Sequence, residues 1–174
     1  YNASLGVSGI AVNPNNPDII YVLSGDGDSS PGSLVDRYLY LSPCNGVYKT
    51  INGGQTWQKL PNFPDIDDNT SYRGRSLIID PNDQNKLYAA TDKGLFKSEN
   101  GGNTWSQITN LGNISIGNSN IWDIKFKPND PNILFAVGDN TFYRLNFSTP
   151  TNSTSYTITG ATRISMAVTP ANPS

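Results

Sequence analysis

The sequence contains no histidine, one cysteine and one methionine. Without histidine there is no Ser-His-Asp or Cys-His catalysis and no imidazole metal ligand. The lone Cys44 excludes an internal disulfide framework and any thiolate zinc site. Its side chain is read as a small buried one rather than a reactive thiol. No apolar run is long enough to cross a bilayer, so no membrane insertion is expected. Charge is scarce too: 15% of 174 residues, with net charge -2 and a pI of about 4.9. A general binder of nucleic acid or anionic membrane needs a basic face, and none is expected here. No secretory leader is visible at Tyr1, and the chain reads as a mature or excised piece. What is present in quantity is Asn, Gly, Pro, Thr and Ser, a turn-dense balance that fits an all-β protein.

An internal repeat organises this material. Gly46–Leu60 reads GVYKTINGGQTWQKL and Gly94–Ile108 reads GLFKSENGGNTWSQI. In each copy a short alternating run predicts a strand. Asn-Gly-Gly then supplies the positive φ of a tight turn, and Thr-Trp opens the return strand. Thr50, Asn52, Gly54, Thr56 and Trp57 match Ser98, Asn100, Gly102, Thr104 and Trp105. These two segments resemble Asp-boxes (BNR repeats), S/T-x-D/N-x-G-x-T-W, with Asn where Asp is commoner. The resemblance implies a structural turn between the third and fourth strands of a β-propeller blade.

A second landmark supports that architecture. Segments near residues 6–21, 75–88, 121–135 and 163–173 each carry an apolar strand followed by a proline turn, and in the first three a second strand follows. The turn prolines Pro14, Pro81, Pro128 and Pro170 are 67, 47 and 42 residues apart, and Trp57 and Trp105 are 48 apart. A period of ~40–50 residues with four strands is the mark of a propeller blade. The expected fold is therefore all-β: four-stranded antiparallel blades at about 6–62, 75–110 and 121–160, with the first strand of a fourth in 161–174. The runs Ile10-Ala11-Val12 and Leu77-Ile78-Ile79 suit inner strands covered on both faces. Closed propellers need ~4–8 blades, so the chain is expected to be part of a larger ring.

Loops are then sorted by face. Turns between strands one and two share a face with the Asp-box turns and are short. The irregular stretches 25–45 and 61–74 belong to the opposite face, the usual seat of binding on a rigid scaffold. Asp36, Arg37, Tyr38, Tyr40, Tyr72 and Arg73 are the candidate contacts there; the alternative is that Leu39, Tyr40 and Leu41 tuck the insertion onto its own blade. Asp26 and Asp28 alternate as hard-cation ligands do, yet Arg37 stands where an EF-hand places its bidentate Glu. They and Asp65, Asp67 and Asp68 read as solvated acidic loops or weak cation sites. No metal or cofactor is expected.

The resemblance extends to xyloglucanase-type glycosidases. Thr91-Asp92-Lys93-Gly94 loosely matches their T-D-x-G-G segment, which implies a catalytic role for Asp92, with Asp26 and Asp139 in similar places. Glycoside hydrolysis needs two carboxylates ~5–10 Å apart, and no partner is marked by the sequence. Sialidases share the box, but Arg37, Arg73, Arg75, Arg144 and Arg163 come without their F/Y-R-I-P opening. The chain is also similar to the propellers of sortilin-type receptors, photosystem assembly factors and large secreted surface proteins of Bacteroidetes-like bacteria. The expectation is a non-catalytic, secreted or cell-surface propeller portion that binds protein or glycan, or assembles as cargo or component of a larger complex. Its partner is a protein or the remainder of the propeller; the alternative is a xyloglucanase-like glycoside hydrolase.

Overall fold

The computed structural model describes residues 6–25, 44–63, 72–161 and 163–170. Described strands form three four-stranded antiparallel sheets. The first is β1 (Val7–Val12), β2 (Ile20–Ser24), β3 (Val47–Thr50) and β4 (Gln58–Lys59). The second is β5 (Gly74–Ile79), β6 (Leu87–Thr91), β7 (Gly94–Ser98) and β8 (Ser106–Gln107). A small hairpin, β9 (Asn110–Leu111) with β10 (Ile114–Ser115), follows. The third sheet is β11 (Ile121–Lys127), β12 (Asp130–Gly138), β13 (Thr141–Asn146) and β14 (Thr154–Thr157). Each sheet is a sequential meander, and the inner strands β1, β5 and β11 lie side by side. The architecture is that of consecutive β-propeller blades.

The core lies between sheets. Tyr21, Leu23, Val47 and Leu60 of the first blade close on Leu77, Leu87, Ala89 and Phe96 of the second. Tyr88, Ala90 and Leu95 on the far side of the second meet Ile124, Leu134, Ala136 and Tyr143 of the third. Each blade thus presents a front face to its predecessor and a rear face to its successor. Cys44 is enclosed in the first of these cores, and burial raises its thiol pKa above the usual value. Alkylation of Cys44 in the native chain at pH 8 is expected to run at least about 100-fold slower than in urea, read by mass spectrometry.

The two Gly-Gly turns share the bonds of their Thr/Ser, Asn and Thr residues. Thr50 Oγ1 accepts the Gly54 N–H at 3.0 Å and donates to Asn52 Oδ1 at 2.8 Å. Asn52 Oδ1 also accepts the Thr56 N–H at 3.0 Å, and Asn52 Nδ2 donates to Thr56 Oγ1 at 2.9 Å. In the second copy Ser98 Oγ accepts the Gly102 N–H at 2.8 Å, while Asn100 bonds Thr104 at 2.9 and 2.8 Å. Gly54 and Gly102 have φ of 92° and 86°, in the left-handed region that favours glycine. Each turn also bonds the strand-one-to-two turn of its own blade, Gly53 N–H to Asp18 O and Gly101 N–H to Asn85 O, so both kinds of turn lie on one face. The third blade replaces this turn by a short 3₁₀ segment, Pro150–Asn152, with Ser153 Oγ accepting the Asn146 N–H at 3.0 Å.

Two expectations are modified. Ile10 and Val12 are 62% and 47% exposed, because among the described residues no sheet covers the front of the first blade, whereas the equivalent Leu77 is 3% exposed. Residues 163–170 touch β11 through the Met166 N–H on Asp123 Oδ2 at 2.9 Å, yet they form no strand ladder. A strand is made by cross-strand hydrogen bonds, and this segment has no second strand of its own among the described residues. Since Gly102 N–H is buried and Gly54 N–H is half-exposed, Ser98→Ala is expected to cost about 1–3 kcal/mol in urea denaturation and Thr50→Ala less.

Candidate functional site

The face opposite the Gly-Gly turns carries the turns between second and third strands and the connections between blades. Sheet register makes Asp92 and Asp139 equivalent, one residue beyond the pairs Gly74↔Thr91 and Ile121↔Gly138. In the first blade that position is Gly25, after Val7↔Ser24, and not Asp26. Both carboxylates do the same thing: Asp92 Oδ1 accepts the Arg73 N–H at 2.7 Å and Asp139 Oδ2 accepts the Asn120 N–H at 2.6 Å. They pin the incoming connection to the inner strand. Asp92 additionally faces Arg73 Nη1 at 3.6 Å with its side chain 10% exposed. The Tyr72 carbonyl accepts the Cys44 N–H at 2.9 Å, and the Tyr72 ring meets Phe96 edge-on at 5.9 Å. Tyr72 and Arg73 therefore tie this face together. Asp26, Asp28, Asp36, Arg37, Tyr38, Tyr40, Asp65, Asp67 and Asp68 lie outside the described residues. Among the described residues no three His, Cys, Asp or Glu cluster as a metal site.

A second device recurs on this face. In each blade the pairing of the inner with the second strand skips one residue, at Ser8, Arg75 and Trp122. A bulge bends the strand and re-aims its extra side chain. The third copy opens on a cleft of about 290 Å³ lined by Asn120, Trp122, Asp139, Asn140, Ala161 and Ile164. The Arg75 guanidinium stacks over the Trp122 ring, 3.8 Å from its centroid, and that of Arg163 lies 5.9 Å away. Asp139 and Asn140 form the tip of the β12–β13 turn, with φ of 43° and 60°, and are exposed. Asn120 Oδ1 is enclosed and has no hydrogen-bond donor. Below the cleft, Asp123 accepts from Lys125 Nζ at 2.6 Å and from the Met166 N–H.

The cleft thus joins an aromatic ring, planar amides and an accessible carboxylate, with two guanidiniums near the ring. Sequence reasoning missed Trp122, a lone tryptophan in an otherwise ordinary strand. The signal available was its alignment with Ser8 and Arg75, counted back from Pro14, Pro81 and Pro128.

No family model matches the chain, and no curated protein matches it. Solved structures do. An ancestral GH74 enzyme superposes with a TM-score of 0.62 at 24% identity, over 90% of this chain and 20% of that one. The GH74 xyloglucanase from Xanthomonas campestris gives 0.56 at 17% identity, over 91% and 24%. The extracellular domain of a putative hybrid two-component system from B. thetaiotaomicron gives 0.53 at 12%, over 87% and 16%. The likeness establishes the β-propeller fold, and the chain spans a quarter or less of each of these three structures.

Asp92 caps a backbone N–H in a nearly enclosed site. Asp92→Ala is expected to lower stability by about 1–3 kcal/mol in urea denaturation, and Asp92→Asn, which keeps an acceptor oxygen, by clearly less.

Proposed function

We propose that the chain is the ligand-binding portion of a larger secreted or cell-surface β-propeller, non-catalytic, and that the Trp122 cleft takes a neutral saccharide. In this reading the two Gly-Gly turns are Asp-boxes, scaffold and not site. The carrying observation is the half-buried Trp122 ring in one cleft with the exposed Asp139 and Asn140. Ligand sites combine apolar or aromatic surface with a few convergent polar groups. Sugar hydroxyls donate to the exposed Asp139 carboxylate and bond the exposed Asn140 amide, and the C–H face of a pyranose packs on an indole. The nearby Arg75 and Arg163 guanidiniums disfavour a cation and offset the carboxylates of Asp139 and Asp123.

The GH74 neighbours support a saccharide as the ligand class. They support hydrolysis less well, because Asp92, the residue the resemblance singles out, is committed to Arg73. A protein surface is the second reading, favoured by Gly25 and Cys44, where the long 26–43 stretch leaves and rejoins this same face.

Trp122→Ala is expected to weaken binding to the responding members of a neutral oligosaccharide panel at least tenfold, about 1.4 kcal/mol by calorimetry, with little change in Tm. Release of reducing ends that disappears in Asp139→Asn would overturn the non-catalytic reading. Binding that ignores Trp122→Ala would overturn the cleft.

A further inference from the structure

Three Asn-Gly pairs occur in the chain: Asn45-Gly46, Asn52-Gly53 and Asn100-Gly101. In such a pair the glycine nitrogen can attack the side-chain amide before it, with no Cβ in the way. All three asparagines reach solvent, Asn45 and Asn100 exposed and Asn52 half-buried. Exposure does not separate them, but their bonds do.

At Asn52 and Asn100 both reacting groups are engaged. The Gly53 N–H donates to the Asp18 carbonyl at 3.0 Å and the Gly101 N–H to the Asn85 carbonyl at 2.9 Å. Asn52 Oδ1 accepts from Thr50 Oγ1 and the Thr56 N–H, and Asn52 Nδ2 donates to Thr56 Oγ1. Asn100 repeats this with Ser98 and Thr104. Ring closure at either turn would break these bonds. The second turn is also covered by the first blade: Phe63 stands edge-on to Trp105 at 5.1 Å, whereas Trp57 is 44% exposed.

Asn45 differs at each of these atoms. The Gly46 N–H faces the Cys44 sulfur, a weak acceptor. Asn45 Oδ1 accepts from Lys59 Nζ at 2.9 Å, and Asn45 Nδ2 donates to Tyr48 Oη at 3.1 Å. A Cβ on Gly46 would lie 3.2 Å from Lys59 Cε, so the lysine stem passes over the glycine. Register brings Lys59 there, through the pair Tyr48↔Lys59. The same position in the second blade is Gln107, paired with Phe96, whose Nε2 donates to the Lys93 carbonyl at 2.8 Å. In both blades this side chain reaches the turn between the second and third strands. In the first it sets a cation on an amide oxygen.

We propose that Asn45 is a self-modification site. The Gly46 nitrogen bonds Asn45 Cγ and gives its proton to solvent base. The Lys59 ammonium stabilises the negative charge that develops on Oδ1. The Cγ–Nδ2 bond breaks, and the nitrogen takes up a proton beside the Tyr48 hydroxyl and leaves as ammonia. The succinimide adds water, the one co-reactant, and opens to aspartate or isoaspartate. The product sets a new carboxylate against Lys59, on the face opposite the Gly-Gly turns, where the 26–43 stretch rejoins the first blade. The inference is independent of what the Trp122 cleft binds.

Peptide mapping by mass spectrometry tests it, on the 174-residue chain aged in neutral buffer and in urea. In the native chain Asn45 is expected to convert at least about tenfold faster than Asn52 and Asn100, with isoaspartate among the products. In urea the three rates are expected to converge. Lys59 is exposed, so Lys59→Met is expected to leave the fold intact and to slow Asn45 about two- to fivefold in the native chain and not in urea. Equal rates at the three sites in the native chain, or an Asn45 rate that ignores Lys59→Met, would overturn the proposal. Loss of ammonia that joins the Asn45 and Lys59 peptides without isoaspartate would overturn it in favour of a direct amide between those two side chains.

Discussion

Every blade is a sheet with two apolar faces, and this is the constraint from which the structure follows. In β5, Leu77 turns to the first blade and Ile78 to the third; in β6, Leu87 and Ala89 turn one way and Tyr88 and Ala90 the other. An antiparallel sheet of a single domain usually keeps one face for water. In the second blade neither face is free, and its core is shared with both neighbours. The core is distributed between neighbours, as in other repeat architectures whose stability is a sum of unit and interface contributions. Apolar burial therefore fixes the blades relative to one another as much as it fixes the strands within them. An end blade is left with an apolar face that its own sequence cannot cover.

The polar groups divide along the blade axis. On one face, the Thr50, Asn52 and Thr56 set and its Ser98, Asn100 and Thr104 copy satisfy their own turns. Little hydrogen-bonding capacity is left there for a ligand. On the other face, Asp92 and Asp139 make one equivalent bond each to the connection before their blade. Their surroundings then diverge. Asp92 is nearly enclosed and paired with Arg73, whereas Asp139 stands exposed beside Trp122. One repeated position serves as a clamp in both blades and, in the third, also lines a cleft.

Legibility in the sequence followed the range of the interaction that decides each feature. The Gly-Gly turns are closed by side chains bonding backbone within four residues, so a short motif contains the whole explanation. The blade period was legible for the same reason, through proline turns such as Pro14 and Pro81 next to apolar runs. The fate of Trp57 and Trp105 was not, since their difference depends on Leu60 and Phe63 reaching across from another blade. Asp92 was visible as a residue of interest, but its commitment to the Arg73 backbone is a contact between segments 19 residues apart. Trp122 was hidden because its importance comes from a register shift between β11 and β12, marked in the sequence only by its fixed distance from the turn proline.

That register shift bears on where specificity resides in such a ring. The skipped positions hold serine, arginine and tryptophan in successive blades, on a backbone geometry that is otherwise repeated. The bulge is thus a fixed bracket with an exchangeable side chain. Its products meet across blade boundaries: Arg75 of the second blade stacks on Trp122 of the third, and Arg163 of the following segment approaches the same ring. The indole is held by residues from both neighbours, not by its own sheet alone. A ligand in the cleft would therefore read the joint product of adjacent blades, and whatever sets the spacing of those blades also sets the chemistry of the site. In the proposed reading, apolar closure between sheets and polar recognition at one end of them are two consequences of the same packing.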